Sequence, residues 1–258
     1  MICHLCFLLF SRFLLFMIEN FTGIVLRTLK YNDNLMIADI FTETRGRLSF
    51  LVPVSRSKSS KVKNVLFQPL SILSFNAAYK QGGKMVRLSE VRPYVLYSSI
   101  PYEPCKSAVA LYLAEFLTRA LREESDNAAI FTFLEYSLRW FDEATDGFAN
   151  FHILFLMRLT RFLGIAPNLE DAVAARGYFD LSAGCFVAVQ PMHGNFLTAA
   201  QAADFFAFLE CDYDDVSRFT MNRKLRWEFL DVIQRYYRLH LPDFPELKSA
   251  EVLKELFD

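Results

Sequence analysis

The sequence predicts an α+β fold in which a small closed β-barrel is followed by a larger helical body. Three observations predict it. Apolar residues alternate with a period near two from residue 22 to residue 92 and with a period near 3.6 from residue 107 onward. Bulky rings are abundant, with 27 Phe and 11 Tyr against 9 Gly and 9 Pro, so the chain is built to pack a core rather than to stay open. The charge is divided: residues 17–100 carry twelve Lys/Arg and five Asp/Glu, whereas residues 101–258 carry fifteen and twenty-four, although the whole chain sums to −1. Such a split marks a module that faces a polyanion or a membrane joined to one that does not.

The first sixteen residues, with Cys3-His4-Leu5-Cys6 and Phe7-Leu8-Leu9-Phe10, form an apolar run interrupted by Arg12. It lacks a basic start and a small-residue cleavage site, and it is shorter than the ~20 residues a spanning helix needs. Residues 1–16 are therefore expected to be an extension ahead of a true start at Met17. Cys3 and Cys6 make at most half of a metal site. Cys105, Cys185 and Cys211 are widely spaced and imply no disulfide framework, which fits a cytoplasmic protein.

Thr22–Lys30 and Leu35–Thr42 read as strands, Glu43-Thr44-Arg45-Gly46 as a turn, and Arg47–Val52 as a third strand in a meander. A Ser/Lys stretch from Ser55 to Lys63 follows as a loop. Val65–Phe75 and Met85–Val91 supply two more strands around Gly82-Gly83. Five short strands with long loops suit the oligonucleotide-binding (OB) fold, placed over residues 17–100.

The helical domain then spans residues 101–258. Ser107–Glu124 puts Val109, Tyr112, Leu113, Phe116, Leu117 and Leu121 on one stripe, and Asp126 is placed to cap a second helix running to Asp142. Phe151–Leu163 is more uniformly apolar than the other helices, which predicts a central helix stopped by Gly164 and Pro167. At about residues 176–195 the pattern returns to β, with Gly177–Leu181 and Cys185–Val189 flanking a Ser-Ala-Gly turn in a small hairpin. Thr198-Ala199-Ala200-Gln201 has capping-box spacing, Asp215–His240 reads as one long amphipathic helix whose acidic start Asp212–Asp215 suits the helix dipole, and Ser249 caps a last helix.

No phosphate-binding loop, dinucleotide fingerprint, metalloprotease pair or nucleophile elbow is present. His152, His193 and His240 are far apart in sequence and read as structural, and Asp212–Asp215 lacks the alternating spacing of a calcium loop. The chain is thus expected to be no enzyme, with no cofactor and no small-molecule substrate.

Between Arg45 and Arg92 ten basic residues face the single acid Glu90. Arg45, Arg47, Arg56, Lys58, Lys61, Lys63, Lys80, Lys84 and Arg87 are the candidates for gripping a phosphate backbone with little regard for sequence. Phe50, Phe67, Phe75 and Tyr79 lie among them as possible stacking platforms, at least half of which a barrel needs as inward bulk. A membrane-surface module would use a basic amphipathic helix instead of strands and loops. The competing reading is an adaptor whose basic barrel binds an acidic protein.

Gly23–Arg27, Asn32–Phe41, Thr42–Phe50 and the terminal Pro242–Ser249 with Val252-Leu253 resemble the RecO family of bacterial DNA repair proteins. The likeness extends from about Met17 to Asp258. It implies a recombination mediator that binds single- and double-stranded DNA, anneals complementary strands, contacts the acidic C-terminal tail of single-strand-binding protein, and works with RecR to load RecA, in a cytoplasmic, nucleoid-associated setting. On that reading Arg158, Arg161, Arg223, Lys224 and Arg226 of the acidic body are candidates for receiving the acidic tail. Many members carry a four-cysteine zinc knuckle after the third helix, whereas here residues 164–195 hold only Cys185 and His193. The expectation is therefore a hairpin without zinc, packed by Phe179, Leu181, Phe186 and Val189.

Overall fold

A computed structural model describes residues 17–54, 65–79, 86–121, 128–168, 177–219 and 221–256. They fall into two compact units. One gathers the chain up to Tyr97 with Ala114–Thr132, and the other gathers Ser98–Leu113 with Phe133–Asp258.

The first unit is a five-stranded barrel of β1 (Met17–Lys30), β2 (Leu35–Thr42), β3 (Gly46–Pro53), β4 (Ile72–Tyr79) and β5 (Val86–Pro93). The strands close in the order β1-β2-β3-β5-β4, with β1 completing the ring against β4. All pairings are antiparallel except that of β3 with β5, where Phe50 lies opposite Val86 and Leu51 opposite Arg87. This is the topology of the OB fold that the sequence predicts. Inward positions bring Phe21, Phe50 and Phe75 together. Phe21 stacks on Phe75 at 5.6 Å between ring centroids, and Phe50 meets Phe75 edge-on at 5.1 Å. Gly23 is required beside them, because a Cβ there would sit 2.4 Å from Ile40 Cγ2.

The β2–β3 turn is fixed by the sequence that predicts it. Thr42 Oγ1 donates to the Gly46 carbonyl at 2.7 Å and accepts from the Arg45 N–H at 3.1 Å, while Gly46 takes a φ of 64° that costs a glycine little. The expected strand over Val65–Phe75 is a correction: Val65 and Leu66 form a helical turn, and the strand starts only at Ile72. Pro69 has no N–H for a ladder, and Leu70 adopts φ 64° and donates its N–H to the Val25 carbonyl at 2.8 Å. Phe67 and Leu70 are buried core residues without being strand residues. β1 also begins earlier than expected, at Met17 rather than Thr22.

The helices are α1 (Pro104–Ala120), α2 (Ala128–Glu143), α3 (Phe151–Phe162), α4 (Ala199–Glu210), α5 (Arg223–His240) and α6 (Ser249–Leu256). The six residues of the stripe expected over α1 and just beyond it are all buried. Asp126, the expected cap of α2, lies outside the described residues. In the second unit α3 is central as expected, with every residue from Phe151 to Met157 buried. Phe141 of α2 stacks on Phe151 at 4.2 Å, and Tyr237 of α5 donates its hydroxyl to the Leu156 carbonyl at 2.7 Å. The start of the unit is held by Asp142, whose carboxylate accepts the N–H groups of Ser98, Ser99 and Ile100 at 2.7–2.9 Å. Burial pushes the Asp142 carboxyl up, but these hydrogen bonds outweigh it and hold it below the usual carboxylate range.

Two expectations for this unit are corrected. The single helix over Asp215–His240 is broken: Tyr213–Arg218 is a 3₁₀ segment, and α5 starts afresh at Arg223 with Asn222 as its cap, Oδ1 accepting the Leu225 N–H at 2.8 Å. The expected hairpin forms from β6 (Tyr178–Asp180) and β7 (Cys185–Val187), and β8 (Phe196–Leu197) extends it to a sheet in the order β7-β6-β8, but one of its expected packing residues is corrected. Phe179 and Leu181 are buried, and Phe186 packs on Phe206 at 4.2 Å, but Val189 is 78% exposed because β7 has ended before it. The capping box forms as expected, with Thr198 Oγ1 accepting the Gln201 N–H and Gln201 Oε1 accepting the Thr198 N–H.

Candidate nucleic-acid interface

The barrel's charge is arranged around one buried acid. Asp39, on β2, is 2% exposed and accepts hydrogen bonds from Arg27 Nε at 2.5 Å, Arg47 Nη2 at 3.1 Å and the Ser49 hydroxyl. Register produces this cluster, because Asp39 lies opposite Arg27 on β1 and Ser49 on β3. Burial pushes the Asp39 carboxyl up. The bonds from Ser49, Arg27 and Arg47 outweigh burial and hold it below the usual carboxylate range, so it stays ionised and keeps both guanidinium groups. Arg47, with its side chain only 22% exposed, also donates Nη1 to the Thr118 carbonyl at 2.6 Å. Arg45 is paired with Glu19 at 3.3 Å, and Lys30 with Asp33 at 2.9 Å.

Of the nine predicted phosphate-gripping residues, Arg56, Lys58, Lys61, Lys63, Lys80 and Lys84 lie outside the described residues. The remaining three separate by environment. Arg45 and Arg47 are engaged with Glu19 and Asp39. Arg87 is exposed, has no ion-pair partner among the described residues, and lines an open cleft of about 730 Å³ with Asn32, Asp33, Asn34, Leu35, Pro53 and Val54. Arg92, further along β5, is exposed in the same way. Phe50, Phe67 and Phe75 are buried in the barrel core and cannot stack on bases, and the Tyr79 side chain is outside the described set.

The residues predicted to receive an acidic tail separate likewise. Arg158 on α3 pairs with Asp212, donates to the Cys211 carbonyl at 2.5 Å and lies 4.9 Å over the Tyr213 ring. Arg226 is turned inward, its Nε on Asn150 Oδ1 at 3.0 Å. Arg223 and Lys224 are exposed in the first turn of α5, with Lys224 3.8 Å from Glu228. Arg161 is exposed, without an ion pair among the described residues, and adjoins Phe162, whose ring stacks on Phe133 at 4.6 Å. Sequence reasoning passed over Arg27 and Asp39; the β2–β3 turn, which sets the register of Asp39 against Ser49, was the signal that could have found them.

His152 is fully buried, and burial, aided by Arg226, pushes its pKa down to about 3, so it is neutral and structural. His240 sits 2.8 Å from the Leu181 carbonyl. Among the described residues no group of three or more His, Cys, Asp or Glu is placed to hold a metal ion, and no helix is long and apolar enough to cross a membrane.

A closed OB barrel that exposes Arg87 and Arg92, joined in one chain to a helical unit, defines a class of OB-fold proteins with helical C-terminal domains. The family model described as Recombination protein O N terminal matches residues 17–97, and that described as Recombination protein O C terminal matches residues 102–250. The chain belongs to the RecO family. It is 49% identical to a DNA repair protein RecO of Phocaeicola vulgatus over 241 residues, covering 93% of this chain and 100% of that one. It is 36% identical to the protein of that name from Porphyromonas gingivalis (92% and 98% covered) and 34% identical to that from Flavobacterium psychrophilum (91% and 97% covered).

Proposed function

We propose that the chain is a non-catalytic recombination mediator that grips DNA through the cleft at the β3–β5 edge of its barrel and acts in the cytoplasm at the nucleoid. The observation that carries this reading is Arg87, an exposed guanidinium without an ion pair among the described residues, in an open cleft that Val54 also lines. Val54 lines the cleft, and Arg56 and Lys58 follow it by two and four residues in sequence. Lys84 precedes Val86 by two residues. Family membership supports the rest: annealing of complementary strands, work with RecR, and RecA loading on single strands coated by single-strand-binding protein. The acidic tail of that protein is assigned to Arg161 and the aromatic ledge of Phe162, because Arg158 and Arg226 are held internally.

The test is fluorescence anisotropy with a labelled oligonucleotide across a salt series. Wild type is expected to bind single strands without sequence preference and to weaken steeply with salt. A K58E/K61E/K63E variant is expected to lose most affinity; if it binds as wild type does at low salt, the cleft reading fails. If wild type binds no DNA, the barrel serves an acidic protein instead.

A further inference from the structure

A further groove lies in the helical unit, lined by none of the residues assigned to DNA or to an acidic tail. α4 presents Gln201, Asp204 and Phe205, spaced i, i+3, i+4, and α5 presents Leu225, Glu228, Phe229 and Val232, spaced i, i+3, i+4, i+7. The two ridges, with Leu197 of β8, line a small groove of about 40 Å³. Its floor is apolar and buried: Leu197, Phe205 and Phe229, the two rings 6.3 Å apart. Leu225 and Val232 form half-buried walls.

The rim is anionic. Asp204 is exposed and has no ion-pair partner among the described residues. Among the described residues Glu228 pairs with Lys224 alone, at 3.8 Å with both side chains exposed, a pair that contributes little and yields readily to a competitor. Gln201 already uses Oε1 in the capping box of α4, which leaves its amide N–H groups as the remaining polar donors. A groove with an apolar floor and two weakly compensated carboxylates at its mouth is complementary to a cation carried beside a bulky apolar group. It opposes an acidic tail by like-charge repulsion.

We propose that this groove docks a short cationic segment of a protein partner, in which one large apolar side chain fills the floor and flanking Lys or Arg meets Asp204 and Glu228. The apolar side chain supplies the buried area, and the carboxylates choose the sign of the partner.

The experiment titrates the full chain into three fluorescein-labelled hexapeptides at 50 mM salt: Lys-Arg-Leu-Phe-Lys-Arg, its charge-inverted form Glu-Asp-Leu-Phe-Glu-Asp, and the apolar-free Lys-Arg-Gly-Ser-Lys-Arg. The first is expected to bind at least tenfold more tightly than either of the others. A D204K/E228K double variant is expected to lose that preference while keeping its melting temperature, since both side chains are exposed. A V232W variant, which fills the groove, is expected to lose the Leu-Phe peptide while leaving the Gly-Ser peptide unchanged. Equal binding of all three peptides, tighter binding of the acidic one, or undiminished binding by the folded double variant would each overturn the proposal.

Discussion

Arg47 and Arg87 are both basic residues of the barrel, and truncating them should have opposite consequences. In Arg47→Ala the chain loses the 2.6 Å bond to the Thr118 carbonyl and the 3.1 Å bond to Asp39, made by a guanidinium whose side chain is 22% exposed. Breaking a buried ion pair costs about 3–5 kcal/mol. Asp39 keeps Ser49 and Arg27, but the Arg27 side chain is 41% exposed and compensates less, so the loss falls at about 2–3 kcal/mol. For a protein of this size that lowers the melting temperature by roughly 5–10 °C. In Arg87→Ala no such bond is lost, and the melting temperature should stay within about 1–2 °C. The order reverses in DNA binding. One lost phosphate contact to a single strand reduces the slope of log K against log salt by about 0.7, which is roughly eightfold in affinity at 50 mM salt. Thermal melts and anisotropy at 15 °C, where both variants are folded, measure the two effects separately. If Arg47→Ala melts like wild type and weakens DNA binding as much as Arg87→Ala, Asp39 does not divide the barrel's arginines into structural and DNA-facing groups.

Acid should destabilise the helical unit before its carboxylates titrate. His152 has a folded pKa of about 3 against an unfolded value of about 6.5. Below pH 6.5 the unfolded chain takes up a proton that the folded one refuses, so stability falls by up to about 1.4 kcal/mol per pH unit down to pH 3. Urea melts between pH 6.5 and 4.5 should show this slope, and His152→Gln should flatten it; an unchanged slope in that variant refutes the assignment. Asp39 and Asp142, held below their usual range, contribute stability that is present above pH 4 and lost only below it. Thr198→Ala, which removes the capping box of α4, should cost about 1 kcal/mol in the same melts. Atomic absorption of purified protein should return no stoichiometric zinc, and one zinc per chain would refute a hairpin held by packing alone.

Most of the barrel was legible because its core is periodic. Phe21, Phe50 and Phe75 stand at inward positions of alternating strands, and the Thr42–Gly46 turn carries its own hydrogen-bond donors and acceptors. The reading failed where burial is set by tertiary contact. Phe67 and Leu70 are as apolar and as buried as strand residues, yet Pro69 and the left-handed backbone of Leu70 exclude them from the ladder. The long helix over Asp215–His240 failed for a related reason. Its apolar spacing runs through residues 219–222, and the break is made by one distant group and one local one: Asn150 Nδ2 donates to the Phe219 carbonyl at 2.8 Å, and Asn222 caps α5.

The candidate site was legible as a quantity of charge but not as its distribution. Ten basic residues between Arg45 and Arg92 point to a polyanion, and counting stops there. Which of them can meet a phosphate depends on whether a protein carboxylate has already been met, and that is a matter of strand register. Gly46 opposite Thr42 puts Ser49 opposite Asp39, and β1 puts Arg27 opposite the same acid. A carboxylate buried among three donors has no solvent to exchange them for, so Arg47 is structural however basic its neighbourhood. Arg87 lies where β3 and β5 run parallel, with no acid opposite it, because its partner in the ladder is Leu51. A one-residue change of register would exchange the faces of these side chains and with them the division between arginines that hold the barrel and arginines left exposed.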